Sequence, residues 1–300
     1  MSERTMIKAT WIVAYDGHQH RLLKDGVVVY EGNNIVYVGR SFDGCVNKVI
    51  DATGKVVTPG FISTHAHIAY NPLGKSFLED RGVPQFYYSP LYEDLSFQVL
   101  AQDDEADRAC VEYSVVELLR TGVTCVIELQ CSLCDRPTID IAAEEVQRIG
   151  SRIYLAPQYN SARWYSPDGN SVQFRWWEDD GRSGLEEACK IVRKWDGAAN
   201  GRIRCMLAPA HSVDCSEELL RETRRMAKEL NVPITIHASE AVIEFQEILR
   251  RHGKTPLAWL RDIDFLGPEV ILAHAIHIGG TSWTNYPEGD LDIIASTGAS

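Results

Sequence analysis

The chain lacks a long apolar run, a surplus of positive charge and a dense cysteine framework, and each absence excludes a class of protein. No stretch approaches the roughly 20 apolar residues of a membrane-spanning helix, and the start, Met1-Ser2-Glu3-Arg4-Thr5-Met6-Ile7-Lys8, has no signal-peptide core. Lys and Arg number 30 against 42 Asp and Glu, a formal charge of −12. The summed positive field that holds nucleic acid or an anionic lipid surface is therefore missing. The 8 cysteines are scattered, and only Cys131 and Cys134 form a Cys-x-x-Cys. No second Cys or His pair stands beside them at zinc-site spacing, so they are read as reduced thiols. A cytoplasmic protein without a nucleic-acid or membrane partner is the expectation. Phosphate-binding loops and Gly-x-Gly-x-x-Gly are also absent, which disfavours a nucleotide-binding doubly wound sheet.

What is present, 300 residues with 45% apolar and 24% charged side chains, suffices for one large domain or a large and a small one. Residues 6–58 read as short β segments, with turns at Asp16-Gly17 and Gly32-Asn33-Asn34, where positive φ is tolerated. Beyond Pro59-Gly60 the pattern becomes alternating βα. Strands are expected at 56–63, 124–129, 152–156, 203–208, 233–236 and 270–273, and helices at 103–121, 136–149, 184–195, 216–230 and 240–251. That succession predicts an α/β fold, most of a (β/α)8 TIM-like barrel, with a boundary near residue 58.

Histidines mark the ends of three of these strands: His65 and His67, His237 with Glu240, and His274 with His277. In an extended chain the i, i+2 spacing points His65 and His67 to one side, where both can reach a single ion. The spacing alone is weak, because His18-Gln19-His20 shares it in a turn that reads as solvent-facing. Position decides, since the C-terminal ends of barrel strands form the mouth that carries chemistry. His237 adds a third nitrogen, and three protein ligands with one open place describe a catalytic metal site. Three ordinary core histidines would explain any one of these residues, but poorly all three at strand ends.

Glu240, three residues after His237 at the start of the 240–251 run, is placed to move a proton. The plain alternative is a first-turn acid favoured by the helix dipole. His274 would reach the attacking water from the other side, with His277 beside it.

The segments Thr58-Pro59-Gly60-Phe61-Ile62-Ser63-Thr64-His65-Ala66-His67, His237-Ala238-Ser239-Glu240 and Leu272-Ala273-His274-Ala275-Ile276-His277 resemble the amidohydrolase superfamily. The likeness is greatest to the branch of cytosine and guanine deaminases and triazine chlorohydrolases, and it spans nearly the whole chain. It implies that residues 1–58 are part of a β-sandwich and 59–300 a metal-dependent hydrolase barrel. It also implies one divalent ion, zinc or else iron or cobalt, on His65, His67 and His237. Glu240 would be the proton shuttle and His274 the holder of water, and a homodimer is common among such proteins. The fourth strand, Arg204-Cys205-Met206-Leu207-Ala208-Pro209-Ala210-His211, lacks the lysine that bridges two metals in other branches.

Three features depart from the pattern. Ser63 stands where aspartate or asparagine is usual. The stretch Ala69-Tyr70-Asn71-Pro72-Leu73-Gly74-Lys75 does not spell the guanine- or adenosine-type deaminase signature. The eighth-strand aspartate has no counterpart before Ser300. A barrel of about six strands would leave unpaired edges, so these residues are expected to be the N-terminal portion of a longer polypeptide.

The implied reaction is hydrolysis of a carbon–nitrogen bond by metal-activated water, on a nitrogen heterocycle as aminohydrolase or chlorohydrolase. Cleavage of an amide, urea, carbamate or thiocarbamate is the alternative, and an inactive binding barrel the reading from another class. Tyr87, Tyr92 and Trp164 in the loops, with His277, are the candidate substrate contacts, since aromatic walls suit a flat molecule. Elemental analysis of the purified protein should find one tightly held divalent cation per chain, and a metal-free active protein would remove the basis of this assignment.

Overall fold

The computed structural model describes residues 3–69, 103–130, 138–165, 173–282 and 284–300. The chain divides into two compact units, Met1–Phe61 and Ile62–Ser300. Among the described residues no helix is long and apolar enough to cross a membrane.

The first unit is one sheet of β1 (Arg4–Tyr15), β2 (His20–Glu31), β3 (Asn34–Gly39) and β4 (Lys48–Val57), in the order β3-β2-β1-β4. Both hairpins are antiparallel, while β4 runs parallel to β1. The first turn closes because the Asp16 carboxylate accepts from the amides of His18 and Gln19 and pairs with Arg21 at 2.6 Å. The second turn uses Gly32 at φ 60°. Alternation along the strands buries Ala9, Ile12, Val28 and Ala52 together and Met6, Val27 and Val29 together.

The second unit alternates strand and helix. Its strands are β5 (Phe61–Ala66), β6 (Val123–Gln130), β7 (Arg152–Tyr159), β8 (Ala162–Tyr165), β9 (Gln173–Trp176), β10 (Ile203–Cys205), β11 (Ala208–Pro209), β12 (Ile234–Ala238) and β13 (Val270–His274). Its main helices are α1 (Asp104–Arg120), α2 (Thr138–Ile149), α3 (Arg182–Trp195), α4 (Glu217–Leu230), α5 (Val242–His252), α6 (Pro256–Asp262) and α7 (Asp290–Thr297). Strands β10, β7, β6 and β5 lie side by side, and β11 also pairs with β7. Parallel bridges Leu207–Ile234 and His211–His237 carry the arrangement on to β12, which pairs with β13. At the outer side of β13, Ser300 exchanges backbone hydrogen bonds with Val270 and Leu272.

Strands β7 and β12 are buried on both faces, as their run-like apolar sequences require. Ile153, Leu155, Ile203, Ile234 and Val270 join Val111, Leu185, Leu219 and Leu220 of the helices in the main core. Ile127, Leu129, Ala156, Met206 and Ala208 pack on the opposite side of the same strands. Helix starts follow their caps: Asp103 accepts from the Ala106 amide at 2.8 Å, and Ser216 from that of Leu219 at 3.0 Å.

Five expectations change, the first being the strand at 203–208, which is two, β10 and β11. The run 56–63 is two strands, because Pro59 cannot donate to a ladder and Thr58–Gly60 separates β4 from β5. The helix expected from residue 240 begins at Val242, after a left-handed Ser239 and an extended Ala241. Trp164, expected in a loop, lies on the antiparallel hairpin β8–β9. Helices α6 and α7 were not foreseen; seven or eight residues give too short a periodic run, although Thr255 caps α6 with Pro256 in its first turn.

Leu155→Ala should destabilise the protein by about 2–5 kcal/mol in urea unfolding, since its side chain is fully buried between strand and helices. Asp103→Ala should cost only about 1 kcal/mol, the loss of one cap.

Candidate metal centre

Parallel strands that end together bring their terminal side chains to one place. His65, the fifth residue of β5, His67 just beyond it and His237 in β12 have ligand nitrogens within 4.8 Å of one another. Ring centroids are 4.9 Å apart for His65–His67 and for His65–His237, and 4.7 Å for His65–His274. Backbone carbonyls fix two of the rings. Nδ1 of His67 lies 2.6 Å from the Leu129 oxygen, and Nδ1 of His237 lies 2.7 Å from that of Ala210. A ring nitrogen against a carbonyl must carry the hydrogen, which leaves Nε2 as the lone-pair nitrogen in both. Nδ1 of His65 is buried without a hydrogen-bond partner among the described residues.

Burial first, then repulsion from the neighbouring imidazoles, holds His65 down at about 3. The same two causes, in the same order, hold His274 at about 4. Burial also lowers His67, and it lowers His237 well below the ordinary value. All four rings are thus neutral near pH 7, the form that binds a cation. Three neutral imidazoles and an orphaned ring nitrogen fit a borderline-soft divalent ion such as zinc.

Glu240 reaches the cluster from the loop after β12. Its Oε1 is 3.4 Å from His274 Nε2 and its Oε2 is 3.7 Å from His211 Nε2. Burial pushes its carboxyl up to about 7, with His211 opposing and Glu244 and Asp214 adding to the rise. A carboxyl poised there can both take and return a proton near neutrality. The dipole reading fails, because Glu240 precedes the helix rather than opening it.

Sequence reasoning missed His211, Asp214 and Glu244. His211 stacks on His237 at 4.7 Å, and its Nδ1 is 3.0 Å from the fully buried Asp214 carboxylate. Burial would lower this imidazole, but Asp214, Glu240 and Glu244 together raise it to about 9. The available signal was positional: His211 closes the fourth βα strand as His237 closes the fifth, with Asp214 three residues on. His211, His237 and Glu240 also form a second set of ligand atoms within 4.8 Å.

Of the candidate substrate contacts, Trp164 on β8 stands 5.2 Å from the His211 ring. His277 is buried, and its amide donates to the Ser239 carbonyl at 2.8 Å. Tyr87 and Tyr92 lie outside the described residues, as do Cys131 and Cys134.

The model of the amidohydrolase family matches residues 56–299. The chain is 31% identical over 272 residues to the 5-methylthioadenosine/S-adenosylhomocysteine deaminase of Thermococcus kodakarensis, covering 85% of this chain and 58% of that protein. It is 28% identical over 295 residues to the 5′-deoxyadenosine deaminase of Methanosarcina barkeri, covering 98% of this chain and 60% of that protein. The chain therefore spans about three fifths of these curated relatives. Among solved structures, the atrazine chlorohydrolase of Arthrobacter aurescens complexed with zinc superposes with a TM-score of 0.79 at 20% identity, covering 99% of this chain and 64% of that one. That likeness shows the fold, a (β/α)8 barrel type with a separate N-terminal sheet.

His211 yields a pH prediction for the metal-free protein. It holds its proton to about pH 9 when folded but only to 6.5 when unfolded, so its contribution is complete below 6.5 and lost as pH rises through 9. Melting temperature should decline across that window, and His211→Asn should flatten the decline; an equally steep fall in the variant would refute the assignment.

Proposed function

This chain belongs to the amidohydrolase family, and we propose that it forms the metal-binding part of an aminohydrolase that replaces the 6-amino group of an adenine nucleoside by oxygen, releasing ammonia. The observation that carries this reading is the meeting of His65, His67 and His237 within 4.8 Å, with the Glu240 carboxyl beside His274. The substrate class follows the relatives, which are named for 5′-deoxyadenosine, 5-methylthioadenosine and S-adenosylhomocysteine. The missing first-loop signature bears less weight than that likeness.

His65, His67 and His237 would hold one divalent ion, zinc by preference. When bound, it supplies Lewis acidity that lowers the pKa of water and makes it a nucleophile at neutral pH. Glu240 takes the proton of the attacking water and passes it to the departing nitrogen. His274 is neutral and 3.4 Å from Glu240, so it orients the water and donates to developing negative charge. His211, held as a cation by Asp214, faces the other oxygen of the same carboxyl. Trp164, in contact with His211, offers a flat apolar wall for a purine.

The test is ammonia release from 5′-deoxyadenosine and 5′-methylthioadenosine by the zinc-loaded, full-length protein. Glu240→Gln should lower kcat by about 10²–10⁴-fold while zinc stays bound. A variant with full turnover would exclude Glu240 as the shuttle, and formation of an amine with an acid or carbon dioxide would point to amide or urea cleavage instead.

A further inference from the structure

Glu240 sits on a bend rather than on a helix. The residue before it, Ser239, has φ 56°, a left-handed conformation that a side chain with a Cβ disfavours. Its hydroxyl is buried without a hydrogen-bond partner among the described residues, so the side chain does not hold the bend. The carboxylate of Glu244 does. That residue is 4% exposed on α5, and its Oε1 accepts from the Ser239 amide at 3.0 Å and from the Ser212 hydroxyl. Its Oε2 accepts from the Glu240 amide at 2.8 Å. On the far side, the Ser239 carbonyl accepts from the amides of Ile276 at 3.0 Å and His277 at 2.8 Å. Ser212 in turn donates its amide to the His237 carbonyl at 3.1 Å.

Three donors thus converge on one buried side chain with acceptors on both oxygens. Only a carboxylate meets that demand at this reach, since glutamine would turn an N–H toward one of the donors. We propose that Glu244 is a positioning residue: it pins the Ser239–Glu240 bend in its left-handed form and so aims the Glu240 carboxyl between His274 and His211. The functional half of this statement rests on the assignment of Glu240 as the proton shuttle.

The experiment compares Glu244→Gln, Glu240→Gln and the double variant Glu244→Gln/Ser239→Gly in the full-length zinc protein, with 5′-deoxyadenosine as substrate. Glu244→Gln should lower kcat about 10²-fold, with KM and bound zinc within about twofold. By hydrogen exchange, the amides of Ser239 and Glu240 should lose protection by about tenfold or more. Adding Ser239→Gly, which adopts the bend without a Cβ penalty, should recover about tenfold in kcat, a rescue that a general loss of stability would not show. If Glu244→Gln does not fold, Glu244→Asp replaces it; its shorter arm keeps the charge but reaches one amide at most, and the same pattern is expected. Wild-type turnover with both amides still protected would overturn the proposal, as would a loss confined to zinc content. Normal turnover by Glu240→Gln together with deprotected amides in Glu244→Gln would remove the shuttle and leave the clamp standing.

Discussion

The parallel pairing of β12 with the segment that follows β10 is the constraint on which the rest depends. The amide of His237 donates to the Ala210 carbonyl, and the Ser212 amide donates to the His237 carbonyl. One register therefore sets the height of His237, brings His211 against its ring and presents the Ala210 oxygen to its Nδ1. A shift of this ladder would turn His237 away from the mouth and detach Ser212 from Glu244. The hydrogen bonds that close the sheet here are the ones that build the site.

Around that ladder, burial divides the ionisable groups into two kinds. The imidazoles of His65, His67, His237 and His274 are pushed toward neutrality by desolvation and by the neighbouring imidazoles, His211 among them. His211 goes the other way, because a buried aspartate is bonded to its ring. Glu240 lies between the two kinds, with a neutral ring at one oxygen and a cationic ring at the other. Imidazoles of one intrinsic acidity are thereby separated into neutral rings and a cationic one by surroundings alone.

Of the ten non-glycine residues with positive φ among those described, three lie at the same place. Ser239, His274 and Ala275 all have positive φ, and their amides and carbonyls cross-link the ends of β12 and β13. Such conformations persist only where neighbours over-determine them, and here the determinants are the Glu244 carboxylate and the bonds from Ala275, Ile276 and His277 back to the β12 end.

The sequence by itself determined the alternation of the main strands and helices and the three histidines at strand ends as candidate ligands. Apolar runs of strand length, caps such as Asp103 and Ser216, and His-x-His at a strand end are local patterns that survive in one dimension. Only the tertiary structure decided that His211 joins His237, that Asp214 charges it, and that the Glu244 carboxylate accepts from the Glu240 amide. Those relations join residues of different strands and loops through buried polar contacts, and desolvation acts on a group only once the chain has closed around it.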